Sequence, residues 1–331
     1  MSILAAKHFH DEAAAFAELE SILWSNGPVC PHCGADKRIY DLKGVRSKPS
    51  KKHPEGVERF GLKKCGACRK QFTVRVGTIF EDSHAPLHKW FQAIHMMVAS
   101  KKGVSSHQLH RMLEVQYNTA WFMSHRIREA MRSGGLTPPM GGEGGIVEID
   151  ETIYGRAGTH PKGRGKFYNS AHKNVILSLV ERGGNVRSYH VGASTVGEVI
   201  PIVNANVRKE TFVMTDSAQL YKKQLSTFAR HDRVDHSADE YVRYVEGGPT
   251  IHTNTVEGYF SLFKRGMRGV YQHCKEKHLH RYLAEFDFRY NNRIALGIED
   301  KTRALKAIKG AKGKRLTYRQ ADRAEADEKT F

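Results

Sequence analysis

Three acids and a lysine stand at positions suited to chemistry. Asp150 closes the apolar run Ile146-Val147-Glu148-Ile149, and Asp216 closes Thr211-Phe212-Val213-Met214-Thr215. Glu257 falls in HTNTVEGYFSLFKRG, residues 252–266, where Val256, Phe260, Leu262 and Phe263 recur near helical spacing behind Thr253-Asn254-Thr255, an entry able to cap a helix. Lys264 follows Glu257 by seven residues, two helical turns, so carboxylate and ammonium share a face with Ser261 between them. A lone strand-end aspartate is more often a turn former or a helix cap, and an isolated Glu/Lys pair is more often a solvated face. Capping is a particular rival for Asp216, which Ser217 and a helical pattern follow. Two such aspartates with a helical glutamate point elsewhere, because carboxylates gathered in a low dielectric repel one another and call for a cation. The natural complement is a hard divalent ion, magnesium or manganese. Two such ions about 3.5–4 Å apart clamp the attacking and leaving oxygens of an in-line displacement at phosphorus.

A second metal signature lies upstream. Cys30-Pro-His-Cys33 is followed, thirty-two positions after Cys33, by Cys65-Gly-Ala-Cys68. Each C-x-x-C forms a knuckle whose thiolates converge on one tetrahedral ion, and strand-like runs at 38–42, 57–62 and 71–76 surround them. Together these describe a zinc ribbon, with rubredoxin-like iron as the alternative. Cys30, Cys33, Cys65 and Cys68 fill all four coordination positions, so the expected zinc is structural. Cys274 has no partner in the sequence and reads as an inert thiol.

The elements that must carry these residues follow from periodicity. Residues 1–24 hold an amphipathic helix with Phe16, Leu19, Ile22 and Leu23 at helical spacing, and 25–82 the ribbon. Residues 84–133 give three helical patterns, at 87–100, 105–114 and 118–132, laid out as in a helix-turn-helix. The last of them is expected to expose Asn118, Thr119, His125, Arg126 and Arg128 to phosphates or base edges; a generic three-helix bundle would show the same pattern. Trp90 and Trp121 read as core. A Gly/Pro-rich linker, 134–144, precedes a region spanning 145–298. There, three strands (145–150, 174–180, 186–191) form a meander, followed by a helix at 195–206, a strand at 211–215, a helix at 218–227, a short strand near Arg233 and the Glu257 helix. That order is the order of a ribonuclease H-like fold, in which strand ends and a helix start converge on one cleft. The expected fold class is multidomain α+β: zinc ribbon, helix-turn-helix-like region, and a ribonuclease H-like mixed sheet flanked by helices. Glu148 and Glu151 are assigned structural roles beside Asp150, and His236 and His252 are read as surface histidines or proton carriers. A mixed-charge tail, 299–331, is expected to be partly helical or disordered.

Charge names the class of partner. The 331 residues carry 53 Lys and Arg against 35 Asp and Glu, a net +18, which calls for a polyanion, with nucleic acid as the leading candidate. No apolar run approaches a membrane-spanning length, and the N-terminus lacks the apolar core of a signal peptide, so the expected location is cytoplasmic. The basic loop HPKGRGKFYNSAHK is expected to place Lys162, Arg164 and Lys166 on a DNA backbone, with Phe167 or Tyr168 against a base.

The stretches CPHC, CGAC, QFTVRVGTIF, VEIDETIYG, VMTDSAQLY, HTNTVEGYFSLFKRG and HLHRYLAEFDFRYNNR together make the chain resemble the DDE transposases of bacterial and archaeal insertion sequences, the group with an N-terminal zinc ribbon and a ribonuclease H-like catalytic domain. By that similarity Asp150 and Asp216 are the two aspartates, Glu257 the third acid, and Lys264 the basic residue seven positions beyond it. Some members carry asparagine in third place, and Asn254 stands three residues before Glu257. The resemblance implies binding of an element's ends, hydrolysis of a phosphodiester there to free a 3′-hydroxyl, and attack of that hydroxyl on target DNA. It also implies a homo-oligomer on paired ends and a nucleoid-associated protein. A non-enzymatic DNA-binding regulator and a nuclease that hydrolyses without joining are the alternatives.

Overall fold

In the computed structural model, which describes residues 3–51, 53–133, 137–155, 173–221 and 223–317, the chain divides into two bodies. One comprises the described residues up to His95, Leu109–Ala130 and those from Ala304; the other comprises Met96–Gln108 and the described residues of Met131–Arg303.

In the first body, α1 (Glu12–Leu23) starts where the Asp11 carboxylate accepts the Ala14 amide at 2.7 Å, and it buries Ala15, Phe16 and Leu19. Strands β1 (Ile39–Asp41), β2 (Lys63–Cys65) and β3 (Gln71–Phe72) form an antiparallel sheet in that order. The middle strand lies one step later than the expected 57–62. Leu62 is buried but Val57 is 46% exposed; pairing Cys65 with Ile39 instead sets the second knuckle at the sheet's end. Lys63, 7% exposed, is held by Glu20 (3.0 Å) and Asp41 (2.7 Å), which fastens α1 to the ribbon. Downstream come α2 (Leu87–Ala99), α3 (Ser106–Leu113) and α4 (Tyr117–Met131), of which Met96–Ala99, Ser106–Gln108 and Met131 are counted with the second body. The Glu12 carboxylate caps α2 by accepting the amides of Leu87 (2.7 Å) and His88 (3.1 Å).

The second body is a five-stranded mixed sheet in the order β6-β5-β4-β7-β8: β4 is Ile146–Tyr154, β5 Asn174–Glu181, β6 Val186–Val191, β7 Phe212–Asp216 and β8 Arg230–Val234. The meander β4-β5-β6 is antiparallel, while β7 and β8 join in parallel on the far side of β4. Side chains alternate across the pleat. Val147, Ile149, Leu177, Leu179 and Val213 face α5 (Val196–Asn206) through Val199 and Val203. Ile176, Val180 and Val186 face α6 (Asn254–Gly266) and α7 (Leu279–Asn291) through Val256, Phe260, Phe263, Leu283 and Phe286. The mixed sheet flanked by helices is the expected ribonuclease H-like arrangement.

Two expectations need correction. Asp150 does not end its strand; β4 runs four residues further, to Tyr154, paired throughout with β5. What ends near Asp150 is the parallel pairing with β7, whose last matched pair is Glu148 with Met214. The helix expected at 218–227 is only a 3-10 turn, Gln219–Tyr221. Its apolar positions Tyr221, Leu225 and Phe228 are buried against the sheet by turns rather than by one helical face. The tail begins as α8 (Asp300–Lys309). Among the described residues no helix is long and apolar enough to cross a membrane.

Candidate metal centres and DNA-facing surface

The four ribbon cysteines converge. Cys30 and Cys68 Sγ lie 3.7 Å apart, as do Cys33 and Cys65, and all four sulfurs fall within 4.8 Å of one another. A disulfide would need about 2.05 Å, whereas a tetrahedron with Zn–S bonds of about 2.3 Å has edges of about 3.8 Å. The donor set and spacing fit zinc. The knuckle amides of Cys68 and Ala67 hold the Cys65 thiol down to about 7, while burial and the neighbouring sulfurs push the Cys33 thiol up to about 11, the split of four thiols crowded on one point.

The acids are positioned by sheet topology. Asp150 lies two residues past Glu148 and Asp216 two past Met214, the last pair matched between β4 and β7, so both acids stand just beyond the end of the parallel pairing, Asp150 on the pleat face that α6 covers. Burial pushes the Asp150 carboxyl up to about 8, reinforced by the charges of Asp216, Glu151 and Glu257. Asp216 Oδ1 accepts the Ala218 amide at 3.0 Å, so the capping reading is also met. Glu257 sits in the first turn of α6, half exposed, its Oε1 accepting from Thr253 Oγ1 (2.8 Å) and lying 3.3 Å from His236 Nε2. Asp150, Glu257, Ser261 and Lys264 line one open cleft of about 830 Å³, together with Arg265, Arg268 and Gly269; Asp216 and Asn254 are not among its wall residues. The chain beyond Lys264 widens into a π-helical turn, Met267–Tyr271, which carries Arg268 into the cleft wall. Among the described residues the cysteines are the only group of three or more Asp, Glu, His or Cys gathered within 4.8 Å. Asp150 and Glu257 therefore share a space rather than one point, and Asp216 stands outside its wall.

Thr253 does not cap α6 with its side chain. A buried acid from the sheet does so: Glu148, with no exposed surface, accepts the amides of Thr255 (2.8 Å) and Val256 (3.0 Å). Arg182 Nε donates to the same carboxylate at 2.6 Å. Burial and the Arg182 guanidinium hold His252 below the usual imidazole range; its Nδ1 lies 3.0 Å from Arg182 Nη2 and 3.1 Å from Glu148 Oε1. Sequence reasoning missed Arg182 altogether, since an arginine after a strand is ordinary. Glu151 is turned to Ser194, whose hydroxyl donates to it at 3.2 Å.

On α4, Asn118 is exposed and Thr119 half-buried, both lining a groove of about 580 Å³ that also holds Lys89 and Phe122. His125, Arg126 and Arg128, expected to face DNA, are 1%, 4% and 1% exposed. Arg126 instead donates to the carbonyls of Ile79 (2.7 Å), Glu81 (2.6 Å) and Leu316 (3.0 Å), and Arg128 Nη1 to Ser124 Oγ (2.9 Å). Chain carbonyls left without strand or helix partners need donors, and a guanidinium supplies several at once. Trp90 is core as expected, while Trp121 is half-buried against His125. Lys162, Arg164, Lys166, Phe167 and Tyr168 lie outside the described residues.

Residues 143–291 match the ISXO2-like transposase domain, and residues 10–71 match the transposase zinc-ribbon domain. An uncharacterized protein in transposable element ISH50 of Halobacterium salinarum is 28% identical over 308 residues, covering 86% of this chain and 92% of its own length. A chain in the cryo-EM structure of the simian T-cell lymphotropic virus intasome with PP2A regulatory subunit B56 gamma aligns over 54% of this chain and 63% of its own, at 14% identity and a TM-score of 0.27, too slight a likeness to build on. The acids fall inside the first matched domain and the four cysteines inside the second, so the chain joins a transposase zinc-ribbon domain to an ISXO2-like transposase domain of the insertion-sequence type.

Proposed function

We propose that this protein binds the ends of an insertion element, cuts phosphodiesters there and joins the freed 3′-ends to target DNA. The observation that carries the reading is that Asp150 and Glu257 line one cleft, with burial and then the charges of Asp216, Glu151 and Glu257 raising the Asp150 carboxyl. Asp150, Asp216 and Glu257 would hold divalent magnesium or manganese. When bound, such ions neutralise the acids and stabilise charge on the attacking and leaving oxygens. Glu257 suits the third place better than Asn254, because it shares the cleft with Asp150. Lys264 and Arg268 meet the phosphates flanking the scissile bond, Lys264 as a point charge and Arg268 as a fork. Asn118 and Thr119, with Lys162, Arg164 and Lys166, contact DNA away from the reacting bond. The zinc ribbon serves end recognition as a rigid platform, and two chains act together on paired ends in the nucleoid.

The test is strand transfer by purified protein, using labelled duplex carrying the element's terminal sequence and a plasmid target. Joined product that requires magnesium or manganese is expected. Cleavage without joining would make the protein a nuclease, and tight binding without cleavage a regulator.

A further inference from the structure

One ion pair reaches the chain just upstream of all three acids. Arg182, in the turn after β5, donates Nε to Glu148 Oε1 (2.6 Å), Nη1 to the Thr250 carbonyl (2.6 Å) and Nη2 to the His252 carbonyl (2.9 Å), and Nη2 also lies 2.9 Å from Met214 Sδ. Glu148 in turn takes the Thr255 amide and hydroxyl (2.8 Å each) and the Val256 amide (3.0 Å). Asp150 is two residues beyond Glu148, Asp216 two beyond Met214, and Glu257 two beyond Thr255. A two-residue step along a strand is about 6.6 Å and keeps the same face, so the pair sits one pleat beneath the cleft.

We infer that Glu148 and Arg182 form a buried clasp that positions the three acids, without either residue contacting metal or DNA itself. The inference rests on reading the cleft as a divalent-metal phosphodiester site. Glu148 has no exposed surface, and its two oxygens already accept the Arg182 Nε–H, the Thr255 and Val256 amides and the Thr255 hydroxyl. It is thus spent as a cap and unsuited to be a ligand. Burying such a pair is no better for stability than apolar packing of the same volume, so its value lies in orientation. It fixes the start of α6 against β4 and β7, and with it the separation of Glu257 from Asp150 and Asp216. Outer partners of metal ligands act in this way.

The experiment compares wild type, Glu148→Gln and Arg182→Lys as full-length zinc-loaded protein. Thermal melts establish folding. Manganese binding is measured by calorimetry without DNA, and cleavage of element-end duplex is titrated with magnesium and with manganese. The clasp predicts folded variants that bind DNA within about twofold of wild type. Half-saturating metal rises by about 10–100-fold in both, and manganese recovers more activity than magnesium, which demands stricter octahedral geometry. Unchanged metal saturation in both folded variants would overturn the clasp. So would loss of metal binding in Glu148→Gln with Arg182→Lys unaffected, since Glu148 would then be a ligand. Should either variant fail to fold, the other decides. If wild type cuts no DNA with any metal, the reading of the site falls, while the manganese titration in the same proteins still decides the clasp.

Discussion

Glu148 and Asp150 stand two residues apart on one face of β4, yet they meet opposite surroundings: the first is sealed beneath α6 as its cap, the second opens into the cleft. The strand delivers both acids, and the helix start divides their work. Capping a helix with a carboxylate from another element ties the position of Glu257 to the sheet more tightly than a local Thr253 cap would, because the helix cannot shift without breaking bonds to a buried charge.

The raised Asp150 carboxyl makes a pH prediction for the metal-free protein. Its folded value of about 8 lies above the ordinary 3.8, so the folded state holds the proton more tightly than the unfolded chain. Stability from this group is present below about pH 4 and is lost as pH rises toward 8. Asp150→Asn removes the penalty. Chemical denaturation of metal-free protein at pH 5 and pH 8 is expected to show the variant gaining on wild type at the higher pH by more than about 1 kcal/mol, given about 1.4 kcal/mol per unit. A variant whose difference from wild type is flat with pH would show that Asp150 is not held in this field.

Zinc is expected at one ion per chain, bound by Cys30, Cys33, Cys65 and Cys68. Elemental analysis and the thiolate charge-transfer bands of the cobalt-substituted protein check this, and Cys65→Ser should lose both, together with the melting transition of the ribbon. Retention of stoichiometric metal in Cys65→Ser would remove the four-cysteine site.

Arg126 and Asn118, on one helix, should separate cleanly. Arg126→Ala leaves the carbonyls of Ile79, Glu81 and Leu316 without their donor and is expected to cost about 2–4 kcal/mol in stability. Asn118→Ala should leave the melt within about 0.5 kcal/mol and weaken binding of element-end DNA. Equal melts for the two variants, or undiminished DNA binding by Asn118→Ala, would return α4 to the exposed-arginine reading or take it away from DNA.

Lys264 and Arg268 are expected to act on phosphate, independent of sequence. Each alanine variant should weaken specific and random duplexes alike and lower the slope of log affinity against log salt by about 0.9. A slope equal to wild type would exclude phosphate contact.

The ribbon cysteines and the local settings of the candidate acids were legible from the chain because they are written in local patterns. The C-x-x-C knuckles, apolar strands running into Asp150 and Asp216, and the helical spacing around Glu257 each state their own geometry. What the sequence withheld is what depends on distant partners. Arg126 and Arg128 read as exposed because charge usually is, and only the fold supplies the carbonyls and hydroxyl that let them be buried. The 218–227 segment has helical spacing but ends in turns. Glu148 was readable as structural, but its role as cap to a helix more than a hundred residues away, and Arg182 beneath it, follow only from the sheet order.

The most direct measurement is strand transfer by wild type and Asp216→Asn, with magnesium, with manganese and with EDTA. Joined product in wild type with either metal, absent with EDTA and absent in the variant at unchanged DNA binding, is the predicted result. Joining that persists in Asp216→Asn would contradict the account, because the acid that ends β7 would then be a turn cap and nothing more.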